Sequence, residues 1–240
     1  ILKQLKIWKS ILMIELKNLC LAYGSHVVLD ELTATWSVPG IHGIAGLNGA
    51  GKTTLFNAVA GYKNPVSGTL QFCKRDLVKD DVFFLETSPY FYPNITGYEY
   101  LSLFSQTANH FDGKLLNEVF QLPLHDLIDH YSTGMKKKLA IMAMLKKDKP
   151  IYLLDEPFNG LDLESNHVLE ILLTLLKERG KTILISSHIL DPLLRICDDI
   201  HLLKGGRLEQ NFSKDNFENV EQALFGELAL KAKAVIERAL

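Results

Sequence analysis

The feature that most constrains how this chain can fold is a glycine-rich segment, residues 46–54, with the sequence Gly-Leu-Asn-Gly-Ala-Gly-Lys-Thr-Thr. The apolar residues 41–45 before it have the composition of a buried strand, and residues 55–60 after it have that of a helix. Together they form a P-loop pattern, in which backbone N–H groups and a helix N-terminus surround phosphates. The pattern predicts a binding site for a nucleoside triphosphate. The residues expected to contact it are Asn48, Gly49, Ala50, Gly51, Lys52, Thr53 and Thr54.

Length and composition fit one globular domain, or a domain with a smaller lobe. The 240 residues are 47% hydrophobic and have a formal net charge of −2. This hydrophobic content supplies a sizeable core, and the small net charge gives no general attraction to nucleic acid. The cysteines, Cys20, Cys73 and Cys197, lie far apart and fit small buried hydrophobic residues in a reducing compartment better than a disulfide framework or metal site. Because no apolar run is long enough to span a bilayer, we expect another polypeptide to supply any membrane-spanning part.

Strand and helix patterns alternate along the chain, which predicts an α/β fold with a mainly parallel sheet. Predicted strands are residues 14–19, 27–36, 41–45, 69–73, 82–85, 151–155 and 182–186, with a final hairpin around Gly205 and Gly206. Predicted helices are residues 55–60, 168–176 (closed by Gly180), 191–197 and 216–240. From residue 88 to about residue 147 the pattern is helical without a good strand, which indicates a helical lobe inserted between strands.

Two acids end the apolar run 151–155, about 100 residues after the P-loop lysine. The carboxyl edge of a parallel sheet is where ligands bind in α/β proteins. Asp155 is therefore a candidate for holding Mg²⁺ together with the Thr53 hydroxyl, and Glu156 is a candidate general base for the attacking water. We expect Lys52 to reach the outer phosphates as a point charge.

Two further motifs are predicted to contribute to phosphate binding. Ser187 and His188 follow the apolar strand 182–186, which is expected beside the acidic strand, so His188 is predicted to lie near the γ-phosphate. Small residues in the segment Tyr-Ser-Thr-Gly, residues 131–134, precede a helix and form a second candidate anion site. Because one chain does not need two γ-phosphate sites, we interpret this helix start as serving the nucleotide on a second, facing copy.

These motifs, in this order from about Met13 to Gln210, resemble those of the nucleotide-binding subunit of an ABC transporter. The resemblance identifies Tyr23 with the aromatic residue that stacks on adenine. It identifies residues 131–135 with the signature segment, in which Ser132 and Gly134 face the phosphate. It identifies residues 160–162, which end at Asp162, with the D-loop. It also implies the fold of this family: a P-loop core with a parallel sheet, an N-terminal antiparallel β subdomain and an inserted helical subdomain at about 88–147. The implied organisation is an N-terminal extension (1–12), an ATPase domain (13–210) and a C-terminal helical tail (211–240).

The sequence departs from the family pattern at one candidate metal contact. The family usually carries a glutamine after the strand 82–85, where it reaches Mg²⁺ and the transmembrane partner. This chain has Glu86 and Thr87 there, and we place Thr87 at the aligned position, as a metal residue with Thr53 and Asp155. Tyr131, Thr133 and Met135 also replace the commonest signature residues.

The resemblance further implies how such a protein acts. Two copies face each other head to tail with ATP and Mg²⁺ between the P-loop of one and the signature segment of the other, and Glu156 and His188 act in hydrolysis at two competent sites. The expected partners are a second copy and a polytopic membrane permease, not nucleic acid. The expected location is the cytoplasmic face of the cell membrane, through the permease. An exporter is expected because the signature and the Pro-Asn-Ile-Thr-Gly loop, residues 93–97, resemble those of exporter subunits.

Three segments leave alternatives open. Residues 1–12 are either a basic amphipathic helix on a membrane or partner or, as we favour, an extension upstream of the true start. The aromatic loop, residues 89–93, either contacts a partner or packs under the helical lobe. The lysine cluster (Lys136, Lys137, Lys138, Lys146, Lys147 and Lys149) is expected to be a solvated helix face. The alternative, a nucleic-acid surface, would need interleaved aromatic residues and a net positive charge, and neither is evident.

Two other functions compete with a transporter subunit. One is an ABC-type ATPase without a membrane partner, although the paired domains, coiled coil or zinc cysteines common in such proteins do not occur in this sequence. The other is a P-loop GTPase or nucleotide kinase, but the guanine-binding pattern Asn-Lys-x-Asp is not found here. Pull-down of a membrane protein tests the first, and comparison of ATP and GTP turnover tests the second.

Overall fold

The computed structural model describes residues 13–105 and 111–239, so the N-terminal extension, residues 1–12, lies outside the described residues. The strands are β1 (Met13–Tyr23), β2 (His26–Ser37), β3 (Gly40–Ala45), β4 (Ser67–Phe72), β5 (Arg75–Asp76), β6 (Val82–Leu85), β7 (Ile151–Asp155), β8 (Thr182–Ser187), β9 (Asp199–Lys204) and β10 (Arg207–Ser213). The α-helices are α1 (Lys52–Val59), α2 (Gly97–Ser102), α3 (Gly113–Phe120), α4 (Thr133–Lys147), α5 (Leu163–Glu178), α6 (Leu190–Ile196) and α7 (Val220–Ala239). Short 3₁₀ turns occupy Lys79–Asp81, Ile128–His130 and Lys214–Asn219.

The larger sheet contains the parallel strands that the apolar runs predicted. Across the described residues its order is β10-β9-β3-β8-β7-β6, and every neighbouring pair is parallel except β9 and β10. The prediction that the strand before His188 lies beside the acidic strand is confirmed, because Asp155 of β7 pairs with Ser186 of β8. The carboxyl ends of β3, β7 and β8 consequently meet at one edge.

A smaller antiparallel sheet, in the order β2-β1-β4-β5, is built mostly from the residues before the P-loop. It packs on one face of the larger sheet, and helices α4, α5 and α6 pack on the other. Successive residues of β7 alternate between these two cores: Leu153 belongs to the first, whereas Tyr152 and Leu154 belong to the second. Each fully buried leucine of this kind stabilises the fold by roughly 1.5–3 kcal/mol.

The predicted α/β class, with a parallel core sheet, an antiparallel β part and a helical insertion, is confirmed. Between β6 and β7 the described residues form helices α2, α3 and α4, and the strand pairing among them is one isolated bridge, Thr96 to Leu127. Gly180 has a φ of 82° just after α5, as its predicted role in ending that helix requires. In the part of the chain that the structure describes, the helices are too short or too polar to cross a membrane.

Candidate active site

The P-loop leaves the end of β3 and enters helix α1 at Lys52. Gly49 and Gly51 have φ angles of 82° and 106°, in the left-handed region that a side chain disfavours. A Cβ on Gly46 would come within 2.6 Å of the Leu203 carbonyl oxygen. The glycines therefore allow a tight loop that packs against β9 and presents its amides at the start of a helix, where an anion is favoured.

Lys52 is almost fully buried and sits between the P-loop and the acidic strand. Its Nζ donates a hydrogen bond to the Gly46 carbonyl oxygen at 2.7 Å and lies 3.4 Å from Oε1 of Glu156. A buried ammonium group needs such oxygen partners because desolvation of its charge is costly. The geometry keeps a positive charge between the P-loop and Glu156.

Asp155 gathers three hydroxyl groups from three separate elements. Thr53 and Thr87 both donate to its Oδ2, at 2.7 Å and 2.8 Å, and Ser186 donates to its Oδ1. Carboxylate and hydroxyl oxygens are the donor types that Mg²⁺ prefers. The residues present thus fit a magnesium ion, and the hydroxyl that follows β6 and contacts Asp155 belongs to Thr87.

Glu156 occupies an unusual backbone conformation, with a φ of 49°. Its N–H donates to the Ser186 carbonyl oxygen at 3.0 Å, which fixes the chain as it leaves β7. The Nδ1 atom of His188 lies 2.9 Å from Oε1 of Glu156, without the alignment of a good hydrogen bond. A non-glycine residue held in the left-handed region at the edge of a cavity is typical of a functional site.

These groups surround one cavity of about 430 Å³, a size common for small-molecule sites. Its lining is Val28, Asn48, Gly49, Ala50, Gly51, Lys52, Thr53, Thr54, Thr87, Asp155, Glu156, Asn159 and His188. The structure therefore brings together the predicted P-loop, metal and catalytic residues. Sequence reasoning missed Val28, whose strand carries no motif, and Asn159, whose position one residue before the D-loop segment 160–162 was the available signal.

The remaining predicted nucleotide residues lie outside this lining. Ser132 is exposed and caps helix α4 by accepting a hydrogen bond from the Met135 N–H at 3.2 Å. A Cβ on Gly134 would come within 3.0 Å of the Gly160 carbonyl oxygen, so the helix start packs closely against the D-loop. Asp162 caps α5, and its hydrogen bonds with Ser165 lower the pKa of its carboxyl group.

Tyr23, the predicted adenine-stacking residue, also lies outside the lining. It ends β1 with its ring about half exposed, and Nζ of Lys63 lies 4.9 Å from the ring centroid. An exposed ring of this kind can stack on a base. Because the ring lies outside the cavity lining, adenine stacking by Tyr23 stays a prediction.

Tyr131, which stands where the family most often has leucine, has a structural role. Its hydroxyl donates to the Pro123 carbonyl oxygen at 2.6 Å. A Cβ on Gly97 would lie only 2.5 Å from that hydroxyl oxygen, so α2 starts directly against it. This departure from the family pattern thus joins the signature segment to the rest of the helical lobe.

The expectation that the lysine cluster is a solvated face is wrong for Lys137. Its side chain is inside the protein, and its Nζ donates to the carbonyl oxygens of Glu156 and Asn159, both at 2.8 Å. Burial lowers the pKa of Lys137 to about 8, opposed by the charges of Glu156 and Asp155. Lys146 is also partly buried and donates to the Leu101 carbonyl oxygen at 2.9 Å.

Comparison with known proteins identifies related sequences. A family model described as "ABC transporter" matches residues 29–159, more than half of the chain. The chain is 32% identical to the bacitracin transport ATP-binding protein BcrA of Enterococcus faecalis, over 84% of this chain and 70% of that protein. It is 28% identical to the lantibiotic transport ATP-binding protein SrtF of Streptococcus pyogenes, over 88% of this chain and 95% of that protein.

A solved structure described as the ATP-binding subunit of an ABC transporter has the same fold. It is 28% identical in sequence, with a TM-score of 0.77, and the match covers 91% of this chain and 98% of that one. The agreement extends over both sheets and the helical lobe, not only the P-loop.

Proposed function

We propose, from the premise that this chain belongs to the ABC transporter family, that it powers a separately encoded membrane transporter through ATP-driven dimerisation. Members of this family bind and hydrolyse ATP, and this chain is an ATPase of that kind. The observation that carries the proposal is the cavity in which the P-loop, the Asp155 hydroxyl cluster and Glu156 converge.

In this proposal Glu156 is the general base for hydrolysis. The water oxygen bonds to the γ-phosphorus as the bond to the β–γ bridging oxygen breaks, ADP leaves with that electron pair, and Glu156 takes a proton from the water. Lys52 neutralises phosphate charge, and His188, beside Glu156, holds the γ-phosphate and water in line. Thr53, Thr87 and Asp155 would hold Mg²⁺, which neutralises charge on the phosphate oxygens when bound.

The exposed signature segment supports the proposed second copy. Ser132 and Gly134 lie at the N-terminus of the 15-residue helix α4, but outside the lining of the cavity in their own chain. They are free to meet the nucleotide bound by a facing copy. Contacts that exist only while the γ-phosphate is present would shift the population toward a closed dimer, and hydrolysis would reopen it.

The aromatic loop supports the proposed membrane partner, because one of its rings is packed and two others are exposed. Phe91 is packed, with its ring centroid 4.7 Å from that of Tyr100. Tyr90 and Tyr92 are 69% and 55% exposed. Two relatives named for transport of bacitracin and of a lantibiotic also support a transporter partner. Such a partner would hold this subunit at the cytoplasmic face of the membrane; transport outward stays a prediction.

The decisive experiment is the substitution Glu156→Gln, because an amide cannot accept the proton of the water but keeps the side-chain shape. We expect ATP binding to persist, turnover to fall about 100-fold or more, and a stable dimer to accumulate with ATP. Light scattering after size exclusion, with and without ATP, measures the dimer. The matched control is Glu178→Gln, at the exposed end of α5, which should turn over ATP as the unchanged chain does.

Three results would contradict the proposal. Parental turnover in the Glu156→Gln protein excludes Glu156 as the base. A protein that stays monomeric when saturated with ATP excludes the facing-dimer mechanism. Failure to co-purify any polytopic membrane protein favours the alternative, an ABC-type ATPase that works without a membrane partner.

A further inference from the structure

Lys137 is a buried cation that has no role in the hydrolysis mechanism proposed above. It lies one turn into helix α4, five residues after Ser132, and only 2% of its surface is exposed. Its Nζ lies 2.8 Å from both the Glu156 and the Asn159 carbonyl oxygens. Burying an ammonium group is costly before it is offset by partners, so these two carbonyl oxygens are what hold the charge inside the protein.

The two carbonyl groups that Lys137 contacts lie at the two ends of one backbone turn, residues 156–159, which begins at the proposed general base Glu156. The Asn159 N–H donates to the Glu156 carbonyl oxygen at 3.2 Å, which closes residues 156–159 into a turn. This turn begins at the residue with a φ of 49°. The ammonium group therefore fixes the backbone from which the Glu156 side chain extends toward Lys52 and His188.

The same helix has its N-terminus at the signature segment. Residues 133–147 form one continuous helix, so a displacement of its first turn is transmitted to Lys137 as a rigid movement. Close packing of Gly134 against the Gly160 carbonyl oxygen ties the first turn to the D-loop as well. The path from Ser132 to the Glu156 backbone thus contains the start of one helix and a single hydrogen bond from Lys137.

We propose that Lys137 is a positioning residue that couples the two ATP sites of the dimer. It transmits contact between the signature segment and the partner's nucleotide to the backbone of Glu156 in its own chain. This inference rests on the facing dimer of the proposed function. Each glutamate would reach its working position only when the opposite site is filled, so hydrolysis by the two sites is cooperative.

Lys137→Met leaves the Glu156 and Asn159 carbonyl oxygens without the ammonium donor, and a buried acceptor that loses its partner destabilises a fold. Lys137→Met should therefore melt below the unchanged protein whether Lys137 has a purely structural or a positioning role. A purely structural role predicts that kcat and cooperativity are kept at a temperature at which the variant is fully folded. Positioning predicts that both are lost at that temperature.

The experiment compares Lys137→Met and Lys137→Gln with Lys136→Met, a neighbouring lysine on the same helix. A glutamine amide keeps two N–H donors for the carbonyls, although its side chain is shorter. We expect kcat to fall about 10- to 100-fold in Lys137→Met, and by less in Lys137→Gln, with KM and binding of a fluorescent ATP analogue nearly unchanged. The Hill coefficient should drop from above 1, with 2 as its limit for two sites, to about 1 in Lys137→Met.

The outcomes separate this inference from the function on which it rests. Absence of turnover or of ATP-dependent dimers in the unchanged chain refutes the proposed function and the inference together. If the unchanged chain is active, then parental kcat and Hill coefficient in Lys137→Met refute only the inference. Equal losses in Lys136→Met refute it too, as does a fall in kcat that follows a loss of ATP binding. Should Lys137→Met fail to fold, the kinetics of Lys137→Gln decide in the same way.

Discussion

Thr87 and Thr53 donate to the same oxygen of Asp155, although one follows β6 and the other lies in the first turn of α1. Two hydroxyl groups at 2.8 Å or less from one carboxylate oxygen form a compact cluster that a small cation can bind. A threonine side chain is shorter than glutamine, so the chain after β6 must approach Asp155 more closely than a glutamine would require. The exposed neighbour Glu86 makes no such contact.

The substitution Thr87→Val removes this hydroxyl group and keeps the shape of the side chain. We expect the Mg²⁺ concentration for half-maximal ATP turnover to rise about 10-fold, the range found when a metal-supporting group is lost. Thermal stabilisation by ATP should require correspondingly more Mg²⁺. Glu86→Gln is the control and should leave both titrations unchanged. A shift in Glu86→Gln with none in Thr87→Val would mean that Glu86 replaces the usual glutamine.

At the scale of elements, the buried His42 and the partly buried Asp199 join β3 to β9 at the end of the sheet opposite the P-loop. His42 of β3 is fully buried, with its Nδ1 2.9 Å from Asp199 Oδ2 and its Nε2 2.9 Å from the Ser37 carbonyl oxygen. His201 lies on the other side, with its Nε2 3.0 Å from Asp199 Oδ1. Burial alone would raise the pKa of Asp199, but its hydrogen bond with His42 and the proximity of His201 lower it to about 2.

The low pKa of Asp199 predicts how acid weakens the fold. Between pH 4 and pH 2 the unfolded chain binds a proton at this carboxyl group, whereas the folded chain does not. The free energy of unfolding therefore decreases as the pH is lowered across that window. The shift corresponds to about 2 kcal/mol. Asp199→Asn should therefore be less stable than the unchanged protein at pH 6 by about that amount, and the gap should narrow toward pH 2.

Urea unfolding at pH 6, 4 and 3 measures this difference. Asp215→Asn, at an exposed acid in the 3₁₀ turn before α7, is the control and should follow the unchanged protein at each pH. A constant gap between Asp199→Asn and the unchanged protein at all three values would show that the Asp199 charge is not what the histidines stabilise.

For the whole molecule, local sequence patterns were sufficient to predict the sheet and most of the cavity. The P-loop and the acidic strand are defined by spacing within short segments, and the adjacency of β7 and β8 follows from parallel strands in one sheet. The burial of Lys137 could not be predicted from three consecutive lysines, because only packing determines which of them faces inward. The sequence did contain a weak signal, because two apolar residues, Ile141 and Met144, follow Lys137 by four and seven residues and therefore lie on the same helix face. Both are buried in the structure.

The aromatic loop shows a second limit of prediction from sequence. A loop has no regular hydrophobic period, so the sequence does not indicate which of its aromatic residues are buried. The structure of the loop allows a test of folding stability, at the packed phenylalanine, to be separated from a test of partner binding, at the exposed tyrosines. Phe91 packs against Tyr100, so Phe91→Ser should destabilise the folded protein by about 3 kcal/mol, as expected for loss of a packed aromatic ring. Substitutions of the two exposed tyrosines should instead leave the fold intact.

The double substitution of Tyr90 and Tyr92 by serine tests the proposed docking surface for a membrane partner. Exposed aromatic rings contribute strongly to protein–protein contacts because they bury a large area with little loss of side-chain freedom. We expect the variant to melt within a few degrees of the unchanged protein but to recover about 10-fold less polytopic membrane protein on purification from detergent extract, since a hot-spot residue is worth more than about 1 kcal/mol. Ile171→Ser, an exposed apolar position on α5, is the control for general loss of surface hydrophobicity. Equal recovery with the double variant and the unchanged chain would place the partner on another surface of the subunit.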